Sequence, residues 1–224
     1  KIAVPKLSRI ANFDDLDPLN AEPDVDLGVI APGSAIPGDT DLILLPGSKA
    51  TIADLAFLRE QGWDIDILAH HRRGGRILGI CGGYQMLGRT VADPDGIEGN
   101  TQFAQGLGLL NIDTVLSGEK SLGERSGQHA ASGAPVHGYE IHLGQSDGPD
   151  RDRPFLTING AGEGACSQDD LVQGCYLHGL MAADGFRHAY LSGIRARPDS
   201  GINHTALVDG TLDALAAHFE QHLD

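Results

Sequence analysis

Residues 77–87 read ILGICGGYQML, and this segment decides how the rest of the chain is interpreted. Its apolar beginning predicts a buried strand, and its end predicts the first turn of a helix. Between the two lies a Gly-x-Cys-x-Gly turn centred on Cys81, which is the cysteine form of the motif that presents a nucleophile between a strand and a helix. Glycines suit both flanks because such a turn has strained, closely packed backbone. Cys81 is therefore predicted to be a catalytic nucleophile.

A nucleophilic cysteine needs a base, and His178 is the best candidate. Residues 172–180 read VQGCYLHGL, which predicts a short strand that ends in a histidine, with Gly179 letting the chain turn away. Sheets of parallel strands gather their functional residues at the carboxyl ends of the strands. We therefore predict that Cys81 and His178 lie within hydrogen-bonding reach. Cys166 and Cys175 are interpreted as small buried residues.

Composition excludes several classes of function. The net charge of −15 argues against nucleic acid or an anionic membrane surface as a partner. No apolar run approaches the ~20 residues of a membrane helix, and no signal-peptide pattern is present. Three cysteines without a Cys-x-x-Cys spacing indicate the reducing cytoplasm. His137 and His142 lack a third ligand at a familiar spacing, so no metal site is expected.

Strands and helices alternate in the first half of the chain, which predicts one α/β domain over residues 1–224 with a doubly wound, mostly parallel sheet flanked by helices. The second half is less regular and predicts some antiparallel strands, with a mobile loop over residues 117–134. The predicted strands are residues 2–4, 24–30, 41–45, 76–80, 135–143 and 155–158. The predicted helices are residues 51–61, 63–73, 182–196 and 205–223.

Five segments in order resemble the glutaminase domain of cobyric acid synthase, from the cobalamin branch of the class I glutamine amidotransferases. The likeness spans nearly the whole chain. The segments are RIANFDDLDPL at 9–19, LPGSK at 45–49, GICGGYQMLG at 79–88, GYEIH at 138–142 and YLHG at 176–179.

This resemblance implies a reaction and partners. The family hydrolyses glutamine and passes the ammonia to an ATP-dependent amidoligase domain, which amidates corrin-ring carboxylates and precedes the glutaminase in the same polypeptide. No phosphate-binding Gly-x-x-x-x-Gly-Lys-Ser/Thr motif occurs here. We therefore expect the C-terminal, ammonia-producing part of a longer two-domain synthase. It would bind L-glutamine and need no cofactor, while ATP and Mg would bind the absent synthase domain.

The resemblance also assigns roles to residues. Oxyanion donors are expected from the backbone N–H of Gly82 and from the loop at Gly47 and Ser48, and Gln85 matches the position that helps to orient the substrate. Many class I members have a glutamate two residues after the histidine, where this chain has Leu180. Glu140 is a possible substitute that would orient the imidazole of His178.

Three alternatives remain open at this point. The chain resembles, less closely, the glutaminase half of a sibling amidoligase that makes cobyrinic acid diamide or cell-wall isoglutamine. A cysteine peptidase or hydrolase built on the same turn would act without glutamine specificity. A catalytically silent binding or scaffold module would not need both Cys81 and His178.

Overall fold

The computed structural model describes residues 1–222, without the side chains of residues 119 and 120. The strands are β1 (Ile2–Pro5), β2 (Ile10–Ala11), β3 (Leu27–Ile30), β4 (Leu42–Leu45), β5 (Gly47–Ser48), β6 (Arg76–Ile80), β7 (Thr90–Ala92), β8 (Phe103–Gln105), β9 (Asp113–His129), β10 (Pro135–Asp147), β11 (Leu156–Ile158), β12 (Ala161–Glu163), β13 (Ala165–Cys166), β14 (Val172–Cys175) and β15 (Leu177–His178). The α-helices are α1 (Asp17–Asn20), α2 (Thr51–Glu60), α3 (Trp63–Arg72), α4 (Gly82–Leu87), α5 (Asp184–Ile194) and α6 (His204–His222).

A six-stranded sheet in the order β13-β14-β6-β4-β1-β3 forms the centre of the fold. All its neighbours pair in parallel except β13 with β14. Both faces are covered, as the apolar run of β4 predicts: Leu42 and Leu44 belong to one buried apolar cluster, and Ile43 and Leu45 to another. The predicted α/β class is confirmed.

The order of the strands determines where the two predicted catalytic residues, Cys81 and His178, lie. β6 and β14 are parallel neighbours, with Cys175 opposite Ile80. Cys81 follows β6 directly, and His178 lies three residues beyond the end of β14. Both side chains therefore start from the same edge of the sheet, where parallel strands end.

A second, mostly antiparallel sheet has the order β12-β11-β9-β10-β15, with β7 paired to β9 and β8 paired to β7. The prediction of a mobile loop over residues 117–134 is wrong, because most of that segment belongs to β9, which ends at His129. β9 pairs antiparallel with β10 along most of its length, and this ladder satisfies the backbone of a polar, glycine-containing sequence. The antiparallel strands expected in the second half are confirmed.

The helix predicted over residues 205–223 forms as α6, with Leu223 outside the described residues. None of its residues is buried, and the exposed apolar ones include Leu212 and Leu215. Its apolar stripe therefore packs on no core within residues 1–222. No described helix is both long and apolar enough to cross a membrane.

Candidate active site

The backbone at Cys81 has φ 51° and ψ −110°, a conformation that few non-glycine residues adopt. Its glycine neighbours are required by close packing: a Cβ on Gly83 would lie 2.1 Å from the carbonyl oxygen of Leu45, and one on Gly79 would lie 2.7 Å from the amide of Tyr84. The Cys81 N–H donates to the carbonyl of Cys175 at 2.8 Å, which ties the turn to β14. The predicted sharp turn between β6 and α4 is therefore present.

His178 is fully buried, and its ring is fixed by Asp15. The Asp15 Oδ2 atom lies 2.6 Å from His178 Nδ1, and Oδ1 accepts the backbone N–H of Gly179 at 2.6 Å. A carboxylate can only accept a hydrogen bond here, so Nδ1 carries a proton and Nε2 is the basic nitrogen. Nε2 has no hydrogen-bond partner among the described residues.

The charge environment favours a protonated imidazole. Burial lowers the pKa of His178, but the hydrogen bond with Asp15 and the neighbouring Cys81 sulfur outweigh it and raise the pKa to about 9. The Cys81 Sγ lies 3.6 Å from the carbonyl oxygen of Ile141. With this pKa the His178 imidazole is protonated, and able to donate a proton, at neutral pH.

The prediction that Glu140 orients His178 is wrong. The register of β10 and β15 places Tyr139 opposite His178, and the two rings stack with centroids 5.5 Å apart. Glu140 is the next residue along the strand, so its side chain points to the other face. There its Oε2 accepts hydrogen bonds from Ser121 and Arg125, each at 3.1 Å.

Two backbone amides meet beside Cys81. The amide of Lys49 donates to the carbonyl of Arg9 at 3.0 Å, so the next pair in the β2–β5 ladder, Ile10 with Ser48, is not hydrogen-bonded. The Ser48 N–H is therefore directed away from β2. A Cβ on Gly82 would lie 2.9 Å from that nitrogen, which shows how closely the two backbones approach. The amides of Gly82 and Ser48 are the candidate oxyanion donors.

Gly47 has a different part in the geometry. It lies opposite Ala11 in the ladder, and a Cβ at Gly47 would lie 2.8 Å from Cε1 of His178. The missing side chain therefore leaves room for the imidazole. The neighbouring Ser48 Oγ donates to the buried carboxylate of Asp54 at 2.6 Å, and that carboxylate also accepts the backbone N–H of Arg9. Asp54 therefore links β5, which contains Ser48, to the start of β2, which follows Arg9.

Gln85 is buried and lines the same cavity as Cys81. Its Nε2 donates to the carbonyl of Leu143 at 3.0 Å and to the hydroxyl of Tyr176 at 3.3 Å, while its Oε1 accepts from Thr51 at 2.9 Å. The cavity has a volume of about 290 Å³. It is lined by Ala11, Asn12, Ser48, Lys49, Thr51, Cys81, Gln85, Glu98, Ile141, His142 and Leu143.

The other two cysteines lack this setting. Burial raises the pKa of Cys166 to about 12 and also raises the pKa of Cys175. Both are therefore poor nucleophiles at neutral pH. Among the side chains that the structure describes, no three from His, Cys, Asp or Glu are grouped so as to hold a metal ion.

Comparison with known families agrees with this geometry. Residues 1–186 match the CobB/CobQ-like glutamine amidotransferase domain. The chain belongs to this glutamine amidotransferase family. Two cobyric acid synthases are similar over the full chain: that of Bradyrhizobium diazoefficiens is 58% identical over 224 residues, and that of Rhodobacter capsulatus is 59% identical over 223 residues. The chain covers 46% of the length of each relative, so it spans about half of them.

Solved structures share the amidotransferase fold at low sequence identity. PurLQS from Thermotoga maritima aligns with a TM-score of 0.65 and 18% identity, over 87% of this chain and 98% of that one. A further structure, described as a glutamine amidotransferase, has a TM-score of 0.63 and 13% identity, over 90% of this chain and 99% of that one.

The amidotransferase site contains two carboxylates that the sequence did not single out. Asp15 binds His178, which lies 163 residues away, and Asp54 accepts the backbone N–H of Arg9, which lies 45 residues away, so no local spacing connects these partners. The one available signal for Asp15 was its position in the segment 9–19, which belongs to the family resemblance. The resemblance assigns no role to the acidic residues of that segment.

Proposed function

We propose that this chain is the glutamine-hydrolysing part of a cobyric acid synthase, with Cys81 as nucleophile and His178 as acid and base. The observation that supports this best is the buried Asp15–His178 pair. It leaves a single imidazole nitrogen available beside a cysteine in a strained strand-to-helix turn. This is the arrangement that acyl transfer through a thioester requires.

In the proposed reaction the Cys81 thiolate attacks the side-chain amide carbon of glutamine, and the electron pair of the C=O bond moves to the oxygen. As the tetrahedral anion collapses, the C–N bond breaks and the proton on His178 Nε2 passes to the nitrogen, which leaves as ammonia. Water then attacks the glutamyl thioester while Nε2 takes its proton. Glutamate departs and the thiolate is restored.

The anion formed at each tetrahedral stage would be stabilised by the amides of Gly82 and Ser48. Each such donor typically contributes roughly 3–4 kcal/mol to lowering the barrier. Asp15 would hold the ring in place and stabilise its positive charge, which is the task of the acidic member of a catalytic triad. Gln85 would orient the substrate.

The acceptor of the ammonia is inferred from the relatives. They are named cobyric acid synthases and are about twice as long as this chain. We propose that the part of such a protein not spanned here binds ATP and Mg and amidates corrin carboxylates with the ammonia. The reaction is expected in the cytoplasm, because the three cysteines are free thiols.

Labelling with a diazo-ketone analogue of glutamine tests the proposed site. Selective alkylation of Cys81, identified by mass spectrometry of the peptide and suppressed by glutamine, is the expected result. Cys81→Ala should abolish the label and His178→Ala should slow it strongly. Cys166→Ala is the matched control and should label as fast as the unchanged chain.

Equal labelling of all three cysteines, or labelling that glutamine does not slow, would contradict a glutamine site. A chain that fails to label alone should be tested again with the ATP-dependent part of the synthase present. Failure under both conditions would refute the glutaminase assignment. Loss of glutamine-dependent, but not ammonia-dependent, corrin amidation in Cys81→Ala would support the proposed acceptor.

A further inference from the structure

Three polar side chains continue from Gln85 into the protein interior. The Tyr176 hydroxyl lies 3.3 Å from Gln85 Nε2 and 2.6 Å from the hydroxyl of Ser146, which in turn lies 2.7 Å from the hydroxyl of Thr114. Gln85, Ser146, Thr114 and Tyr176 are all buried. The chain of contacts crosses from α4, beside the nucleophile, to β9 and β10 of the second sheet.

The direction of the hydrogen bonds that Gln85 makes follows from chemistry. The Leu143 carbonyl oxygen can only accept a hydrogen bond. The Gln85 side-chain atom 3.0 Å from it must therefore be the NH₂ nitrogen, Nε2, and not the carbonyl oxygen. The same nitrogen must then donate to the hydroxyl oxygen of Tyr176, and the Tyr176 proton can in turn be donated to Ser146. Burial raises the pKa of Tyr176 to about 12, so its hydroxyl keeps that proton at neutral pH.

Both amide hydrogens of Gln85 are thereby used inside the protein. Its Oε1 accepts one bond, from Thr51, and an amide oxygen has two lone pairs. The hydrogen-bonding capacity that Gln85 retains for a ligand in the cavity is thus that of an acceptor. Without the Tyr176 hydroxyl, one Gln85 hydrogen would lose its acceptor in a buried place, and the amide would no longer be held in one orientation.

We infer that Tyr176 is a positioning residue, which fixes Gln85 so that its carbonyl oxygen accepts an N–H of the substrate amide. The inference rests on the proposed glutaminase function. It goes beyond that function because the preference for an amide over an ester substrate would depend on the hydroxyl of Tyr176, a residue that does not line the cavity. Tyr176 would act only through Gln85, without touching the substrate.

The test compares two substrates in each variant. Glutamine carries the amide NH₂, and the γ-methyl ester of glutamate has no N–H at that place. In Tyr176→Phe we expect kcat/KM for glutamine to fall about tenfold, the value of one hydrogen bond, with less than about a twofold change for the ester. Because both substrates are measured on one preparation, a partly folded variant cannot produce the difference.

Tyr84→Phe is the matched control. Its ring packs edge-on against Tyr176, with centroids 5.2 Å apart, and its buried hydroxyl has no partner among the described residues. This control should leave the preference for glutamine over the ester unchanged. Ser146→Ala, which removes the acceptor of the Tyr176 proton, should lower that preference by a smaller factor than Tyr176→Phe.

An equal fall for both substrates in Tyr176→Phe, or no fall for either, would overturn the inference and leave the glutaminase function standing. Absence of glutamine hydrolysis in the unchanged chain, with the ATP-dependent part present, would instead refute the function and the inference with it. A direct readout of the contact is NMR of the Gln85 side-chain NH₂. Its slow hydrogen exchange should be lost in Tyr176→Phe and kept in Tyr84→Phe.

Discussion

The site around Cys81 has a charged side at His178 and a neutral side at Gln85, and the two differ in how their polar atoms are hydrogen-bonded. On the charged side, the buried Asp15 carboxylate and the raised pKa of His178 make the imidazole positively charged at neutral pH. His178 Nε2 has no hydrogen-bond partner among the described residues. Around Gln85 the groups are neutral, and both hydrogens of the amide are bonded. A reacting atom must stay free to exchange protons, whereas an orienting group must not move. We therefore expect the charged side to govern the rate and the neutral side to govern the choice of substrate.

The largest effect is expected from Asp15→Asn, which would break the charged side alone. Asparagine keeps the shape of the side chain but removes the negative charge that stabilises the imidazolium, and it permits the wrong tautomer. Glutaminase kcat should fall by about 10³–10⁴-fold with little change in KM. The control is Asp14→Asn, which changes an exposed carboxylate one residue away. Similar rates for the two variants would show that Asp15 has no such role.

Gly47→Ala should have the next largest effect, because the added methyl group would contact the His178 ring without changing any charge. The new Cβ would lie 2.8 Å from Cε1 of His178, so the ring or the loop must move. We expect kcat to fall by about 10²-fold, since small displacements of catalytic groups are costly. Gly185→Ala, where a Cβ meets nothing within 4 Å, is the control. Unchanged kcat in Gly47→Ala would mean that the ring is held less tightly than its contacts indicate.

The charged side should also make stability depend on pH. The pKa of His178 is raised from 6.5 to about 9, so its protonation stabilises the folded state fully below pH 6.5, and this contribution is lost as pH rises through 9. It amounts to about 3 kcal/mol at most. Urea unfolding at pH 7.5 and pH 9.5 should show the loss, and Asp15→Asn should largely remove it. If Asp15→Asn lost as much stability between pH 7.5 and pH 9.5 as the unchanged chain, the Asp15–His178 pair would not be the cause of the pH dependence.

The smallest effect is expected from Glu140→Gln, which tests whether Glu140 belongs to the charged side around His178. The Glu140 carboxylate accepts from Ser121 and Arg125 on the face of β10 opposite to His178. Glutaminase kcat should change by less than about twofold, because the hydrogen bonds of this carboxylate are made to Ser121 and Arg125 and not to His178. A large loss of kcat with unchanged stability would restore Glu140 as an orienting residue.

Sequence patterns predicted the parts of the site that are local. The turn at Cys81 and the strand end at His178 each occupy a few consecutive residues, and buried parallel strands bring them to one edge of the sheet. Asp15 was not predicted, because its role arises only when a distant segment packs beside His178. Residues 117–134 were misread for a related reason: a polar, glycine-containing sequence indicates a loop unless its partner strand, β10, is known.

The separation of Asp15 and His178 has a consequence for protein synthesis. The two partners lie 163 residues apart, and His178 lies in β15, which follows the other described strands in sequence. A growing polypeptide that has already formed the Cys81 turn still lacks its imidazole, so it has no means of protonating a leaving amine. Under the proposed mechanism, chains on the ribosome that have not yet reached His178 should therefore release no ammonia.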